Sequence, residues 1–174
     1  MILVEAHLRL SQKKYFEQAY RTGSDIWSHV PYHDTAFSLM PELAPDSTVL
    51  DLGAGRGIWA QKLIESGLRV IGVDYIRGIV DRVNEDAKES GISEKLYYIE
   101  ADVLDLPFQD ECFTCITDIG VFQHIHTDQW IRYIEELYRV LAPEGYFVNV
   151  SLSKRTPQFL GWRPYAVEDF QFEK

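Results

Sequence analysis

The chain has 174 residues, of which 46% are hydrophobic and 13% aromatic, so it is not a disordered chain. Its length predicts one domain with a sizeable core. The 17 basic and 27 acidic residues give a formal net charge of -10. That surplus, without any basic stripe, disfavours duplex nucleic acid and membrane partners and favours a small-molecule substrate.

The amino terminus and the cysteines indicate where the protein works. Glu5 and Arg9 interrupt the first apolar stretch, and no window approaches the roughly 18 apolar residues of a membrane span. We therefore expect neither a signal peptide nor a span, and a cytoplasmic protein. Cys112 and Cys115 lie in a predicted strand, where their spacing puts the thiols on opposite faces. We interpret both as ordinary buried cysteines.

Residues 1–44 are predicted to form an N-terminal helical lid segment. Ser11 caps a helix that reaches Tyr20 with an aromatic face, and a second helix opens at Pro31 and runs to about Leu43. Trp27 lies in the polar loop between them, outside any helical stripe. We predict that it covers a cofactor, although packing of these rings onto a sheet is an equal alternative.

An apolar run then ends in alternating glycines. Residues 48–52 read Thr-Val-Leu-Asp-Leu, as in a buried parallel strand, and a helical pattern begins at Ile58. Strand, glycine turn and helix together are typical of a nucleotide site at the carboxyl end of a central strand. The candidate cofactor contacts here are the acid and the small residues, Asp51, Gly53, Ala54, Gly55 and Gly57.

The spacing of these glycines indicates which nucleotide binds. A dinucleotide fingerprint has glycine at the first, third and sixth places, and the sixth place here is Ile58. Asp51 precedes the first glycine by two residues. A carboxylate at that point suits a ligand with an ammonium group and repels a pyrophosphate.

A second strand, residues 69–75, ends in another acid. Asp74 lies about twenty residues beyond the glycines, where a carboxylate can accept both hydroxyls of a ribose. Tyr75 and Ile76 follow, and we expect them to flank an adenine. Asp74 could instead cap the helix predicted over about residues 78–90.

The motif acid-x-Gly-x-Gly-x-Gly at residues 51–57 resembles the first motif of the class I S-adenosylmethionine-dependent methyltransferases. The resemblance implies a three-layer α/β/α sandwich with strand order 3-2-1-4-5 and S-adenosylmethionine as cofactor. It also implies that Asp102 and Val103, after a third strand at residues 96–101, bind the adenine. The aromatic amino-terminal segment is similar to the small-molecule group that includes thiopurine and tellurite methyltransferases.

A fourth strand is expected at residues 112–117. The segment after it lies under the methionine part of the cofactor in this family, which implies roles for Asp118, Ile119 and Phe122. His124 resembles a histidine common in the family, and packing or capping is an alternative to a role as base. His33 and Tyr165 are the other candidate proton acceptors, and the five histidines have no metal-ligand pattern.

The carboxyl end departs from the family. A helix over about residues 130–141 and a fifth strand at residues 146–151 are expected, and residues 152–174 show no clear period, as in an irregular cap. The family continues with a helix and an antiparallel strand pair. We predict that the pair is missing, so that the chain is a fragment or variant, or a second copy covers the sheet edge in a homodimer.

These observations predict an S-adenosylmethionine-binding core over residues 45–151 that transfers a methyl group to a small molecule, forming S-adenosylhomocysteine. Two alternatives stay open. One is an interaction subunit that binds the cofactor without turnover, which the short carboxyl terminus favours. The other is an NAD-linked oxidoreductase on the same topology, which Asp51 and Ile58 disfavour.

Overall fold

A computed structural model describes residues 2–29 and 32–152 of the chain. Its centre is one sheet of five strands in the order β3-β2-β1-β4-β5, and every neighbouring pair is parallel. This confirms the predicted fold class and strand order. The strands are β1 (Thr48–Leu52), β2 (Arg69–Asp74), β3 (Leu96–Glu100), β4 (Phe113–Ile119) and β5 (Leu141–Val150).

Five α-helices accompany the sheet in the described residues: α1 (Ile2–Thr22), α2 (Tyr32–Ser38), α3 (Ile58–Glu65), α4 (Arg77–Glu89) and α5 (Trp130–Val140). The prediction that the first helix begins at Ser11 was wrong, since α1 begins at Ile2. The prediction that the second helix reaches Leu43 was also wrong. After Ser38 the amide of Met40 bonds the Phe37 carbonyl in a tight turn, and Pro41 cannot continue a helix.

The sheet separates two apolar cores because successive strand residues point to opposite faces. Val49, Val70 and Cys115 face α3 and α4 on one side. Leu50 and Ile116 belong to the other core, which α5 covers with Trp130, Tyr133, Leu137 and Val140. Because all five strands are parallel, their carboxyl ends meet at one edge of the sheet, where the candidate cofactor residues lie.

The last two strands differ from the prediction. β4 extends through Ile119, so Asp118 lies within the strand. β5 begins at Leu141, directly after α5, and its register with β4 shifts between Phe113 and Cys115. Cys112, just before β4, is exposed, so its assignment as a buried cysteine was wrong, whereas Cys115 is buried.

Both ends of the sheet order, β3 and β5, pair on one side only among the described residues. The predicted homodimer across the β5 edge stays a prediction. All but the first residue of the predicted cap at residues 152–174 lies outside the described residues, as does Pro31. Within the described ranges, no helix combines the length and the apolar character that a membrane crossing requires.

Candidate functional site

The acid that ends β2 meets the glycine turn that follows β1. Asp74 is 5% exposed, and its Oδ2 accepts a hydrogen bond from the Gly55 amide at 3.1 Å while Oδ1 accepts one from the Ile76 amide at 2.9 Å. Burial raises the pKa of Asp74 to about 6, and these backbone donors limit the increase. A carboxylate has about four acceptor positions, so Asp74 retains capacity for hydroxyl donors.

Asp51 is a buried carboxylate with an unpartnered oxygen. Its Oδ1 accepts a hydrogen bond from the Thr117 hydroxyl at 2.9 Å, and its Oδ2 is buried with no hydrogen-bond partner. Trp59 donates to the same Thr117 oxygen at 3.2 Å, which fixes the hydroxyl. Burial raises the pKa of Asp51 to about 8. The hydrogen bond from Thr117 lowers this pKa, whereas the charges of Asp118 and Asp74 raise it further.

The glycine turn itself has backbone angles that favour glycine. Gly53 and Gly55 have φ values of 57° and 52°, in the left-handed region where a Cβ is strained. A Cβ on Gly53 would lie 2.2 Å from a Val121 methyl, and one on Gly55 would lie 2.9 Å from the Tyr20 hydroxyl. The turn is therefore packed against side chains of two other segments.

Asp118 is engaged within the protein. Its carboxylate accepts hydrogen bonds from the Tyr133 hydroxyl and from the amides of Val121, at 2.6 Å, and Phe122, at 3.0 Å. The carboxylate thus holds the turn after β4 against α5. The family resemblance implies that Asp118 or its backbone carbonyl holds the ammonium of the cofactor, and this role stays a prediction. The Asn149 side-chain amide donates to that carbonyl at 3.5 Å. Phe122 is buried beside Tyr133, with ring centroids 5.9 Å apart.

The predicted adenine contacts lie at the ends of β2 and β3. Ile76 is buried and Tyr75 is half-buried. Burial raises the pKa of Tyr75, and the charges of Asp74 and Asp102 act in the same direction. Asp102 accepts a hydrogen bond from the Leu104 amide at 2.9 Å, and Asp102 and Val103 are half-buried. Their predicted roles stay predictions.

Residues 12–29, which we call the N-terminal cover, lie across this edge of the sheet. The Gln12 amide donates to the His124 carbonyl at 2.8 Å, and the Phe16 ring lies 6.2 Å from that of Tyr75. Trp27 is in a short 3-10 turn, Ile26–His29, rather than an open loop. Its ring packs against Phe16 at 5.2 Å, so it belongs to the aromatic face of the cover.

Sequence reasoning missed Tyr20 and Arg56 at this site. Tyr20 belongs to the aromatic face of α1, and only the fold brings its hydroxyl to Gly55. Arg56 stands between two motif glycines, and its guanidinium bonds Asp25 in the cover at 2.6 Å. A long charged side chain within a turn of small residues was the signal in the sequence.

Two of the three candidate bases, His124 and His33, lie in the described residues, and they pack against different segments. His124 lies under the cover, 5.0 Å from the Phe16 ring, and burial lowers its pKa to about 4. His33 stacks on Trp59 at 6.1 Å, between α2 and α3, and burial lowers its pKa too. Tyr165 lies outside the described residues.

Solved structures are similar to this chain in fold, and curated proteins are similar to it in sequence. A geranyl diphosphate C-methyltransferase from Streptomyces coelicolor, crystallised with S-adenosyl-L-homocysteine, matches with a TM-score of 0.62 over 68% of this chain and 44% of its own, at 23% identity. The biotin biosynthesis bifunctional protein BioHC of Teredinibacter turnerae is 29% identical over 80% of this chain and 25% of its own length.

The probable human tRNA methyltransferase 9B is 36% identical over 61% of this chain, which spans 21% of that protein. The chain therefore corresponds to a quarter or less of these two curated relatives. A family model described as a methyltransferase domain matches residues 49–145. That segment is more than half of the chain and contains all five strands of the sheet except the end of β5 and the start of β1. The chain belongs to the methyltransferase domain family.

Proposed function

We propose that the protein is an S-adenosylmethionine-dependent methyltransferase that acts on a small-molecule acceptor. The observation that carries the proposal is the meeting of Asp74 with the Gly55 amide beside the unpartnered oxygen of Asp51. Family membership supports methyl transfer. At this edge of the sheet, Asp74 suits the ribose of an adenosyl amino acid and Asp51 suits its ammonium group.

The residues present fit this cofactor. Asp51 Oδ2, buried and without a donor, suits an ammonium group, since a buried carboxylate gains most from a cationic partner. Asp74 has acceptor capacity for ribose hydroxyls. The Tyr20 hydroxyl lies against Gly55, so a ligand that rests on this backbone requires the cover to move. Enclosure of this kind excludes water, which favours a reaction that disperses charge.

S-adenosylmethionine supplies an activated methyl group on a sulfonium, so the protein's main task is alignment of the acceptor. His124 is a weak proton acceptor near neutral pH, because burial lowers its pKa to about 4. An acceptor that needs no base, such as a thiol or another soft nucleophile, is compatible with these residues. An acceptor hydroxyl or amine would need a base from elsewhere.

Charge supports a small acceptor over a nucleic acid. The chain carries a net charge of -10, which repels polyanions on average. One relative is named a tRNA methyltransferase and another a biotin biosynthesis protein. We assign a small-molecule acceptor, rather than an RNA, to this chain. A methyl-transfer assay that compares an RNA with a small-molecule panel tests that choice.

Calorimetry with S-adenosylhomocysteine tests the cofactor assignment. We expect Asp74→Ala to weaken binding by roughly 1 to 3 kcal/mol, since the ribose hydroxyls lose a charged acceptor. Asp81→Ala removes the same charge from the exposed face of α4, where it pairs with Arg77, and is the control with unchanged affinity. Unchanged affinity in Asp74→Ala would contradict the ribose role.

A methyl-transfer assay and a nicotinamide titration separate the alternatives. Transfer from labelled S-adenosylmethionine to any member of a broad acceptor panel supports the enzyme. Binding of the cofactor without transfer to any acceptor supports the interaction subunit. Tight binding of NADH, with none of S-adenosylhomocysteine, would overturn the proposal in favour of an oxidoreductase.

A further inference from the structure

Tyr20 is a part of the N-terminal cover that lies against the glycine turn. Its hydroxyl is 2.9 Å from the position of a Cβ on Gly55, and the Trp27 indole donates to that oxygen at 3.3 Å. Burial raises the pKa of Tyr20, and Asp74 adds to the increase. A ligand that contacts both Gly55 and Asp74 therefore enters and leaves only when this part of the cover moves.

One ion pair ties the cover to the turn. Arg56, between the glycines, donates from Nε to Asp25 Oδ2 at 2.6 Å and from Nη2 to Asp25 Oδ1 at 2.7 Å. The same Nη2 donates to the Tyr20 carbonyl at 2.8 Å, and the guanidinium carbon lies 5.5 Å from the centre of the Tyr20 ring. The contact is a bidentate fork, which fixes distance and orientation together.

The burial of Asp25 makes this pair unlike the surface ion pairs. The Asp25 side chain is 0% exposed and that of Arg56 is 35% exposed. The bond from Arg56 lowers the pKa of Asp25 to about 2, so Asp25 is ionised near neutral pH. A buried pair is screened weakly by salt.

We propose that the Asp25–Arg56 pair is a latch that holds the N-terminal cover closed over the glycine turn and sets how fast the cofactor enters and leaves. The inference rests on the proposed function for the identity of the ligand. Its physical reason is the position of the two residues: Asp25 lies between Tyr20 and Trp27 in the chain, and Arg56 lies between Gly55 and Gly57. Opening the cover therefore separates this pair. Both residues act through Tyr20 and are positioning residues.

Stopped-flow kinetics with S-adenosylhomocysteine tests the latch in two variants. Asp25→Asn removes the charge that Arg56 binds, and Arg56→Lys keeps the charge but loses the planar fork. We expect association and dissociation both to become about tenfold faster, because breaking one partner of a buried charged pair acts mainly on rates of opening. The equilibrium affinity changes less than either rate, which a general loss of structure would not produce.

Asp34→Asn is the matched control. Asp34 also pairs with a cation of α3, Lys62, but its side chain is 82% exposed. The substitution makes the same change in charge and amide chemistry away from the cover. Both rates should stay within about twofold of the parent, as for other exposed pairs.

Hydrogen exchange without ligand gives a readout that does not depend on the cofactor. We expect the backbone amides of residues 12–27 to exchange faster in both latch variants than in the parent, while those of β1 and β4 stay protected. Failure of the parent to bind S-adenosylhomocysteine would overturn the proposed function, and exchange would still decide on the latch. Parent-like exchange in a folded Arg56→Lys would overturn the latch, even where Asp25→Asn does not fold.

Discussion

Two buried carboxylates at the ends of neighbouring strands have opposite environments. Asp51 in β1 is 2% exposed and Asp118 in β4 is 0% exposed, and Asp118 lies beside Leu52 in the pairing of the two strands. Asp118 points towards α5 and accepts three strong hydrogen bonds. Asp51 points to the other face, accepts one from Thr117, and has one oxygen without a partner.

Depth of burial therefore does not distinguish Asp118, which stabilises a turn, from Asp51, which we propose to bind the ligand. Burial raises both pKa values, to about 6 for Asp118 and about 8 for Asp51. The smaller increase at Asp118 follows from its additional donors, which stabilise the charged form. The two carboxylates therefore differ in the number of hydrogen-bond donors that the protein already supplies to each.

The largest expected effect is a loss of stability when Asp118 is replaced. Asp118→Ala leaves the Tyr133 hydroxyl and the amides of Val121 and Phe122 without their acceptor in the interior. We expect the free energy of unfolding to fall by about 3 kcal/mol or more, as measured by urea denaturation. Tyr133→Phe removes one donor only and should cost about 1 kcal/mol. A loss below about 1 kcal/mol in Asp118→Ala would contradict the structural role.

For Asp51 we expect the opposite pattern, in which ligand affinity changes more than stability. Asp51→Asn replaces a carboxyl group that burial keeps protonated up to about pH 8 in the folded protein, so we expect no fall in the free energy of unfolding. The affinity for S-adenosylhomocysteine should fall about tenfold, because the ammonium loses its charged partner. Thr117→Val is a control that removes the internal donor but keeps the carboxylate. If Asp51→Asn unfolds easily and binds normally, the contrast between the two carboxylates is wrong.

The last expected effect is the direction in which stability changes with pH. The pKa of Asp51 rises from 3.8 to about 8 on folding, so between these values the folded state holds a proton that the unfolded state has lost. Stability from this group therefore declines as the pH rises from about 4 to 8. Asp74 and Asp118, whose pKa values are also raised, act in the same direction up to about pH 6.

Denaturation of the parent and of Asp51→Asn across this range isolates the contribution of Asp51. The unfolding free energy of Asp51→Asn, relative to that of the parent, should increase as the pH rises. Affinity of the parent for an ammonium-bearing ligand should rise over the same range, since the charged carboxylate is the form that binds it. Parallel pH curves for the two proteins would mean that Asp51 is already ionised.

Much of the fold was predictable from the sequence because the relevant signals are local. Apolar runs at residues 49–52 and 70–73 identify buried parallel strands. The alternating glycines identify the turn, since φ values near those of Gly53 and Gly55 exclude most side chains. Boundaries were predicted less well: the end of α2 depends on turn hydrogen bonds, and the start of β5 depends on pairing with Phe113.

The sequence by itself determined where the strands, the glycine turn and the two acids that flank it lie along the chain, because periodicity and glycine chemistry act over a few residues. The order of the strands within the sheet was implied by the family resemblance. Only the tertiary structure decided which acid keeps a free oxygen. That depends on two hydrogen-bond donors from other parts of the chain. Thr117, which is distant in sequence from Asp51, donates to Asp51, and Tyr133 donates to Asp118 from the helix layer. It also brought Tyr20 to Gly55 and Asp25 to Arg56, since contacts between separate segments follow from how the layers pack and have no local pattern.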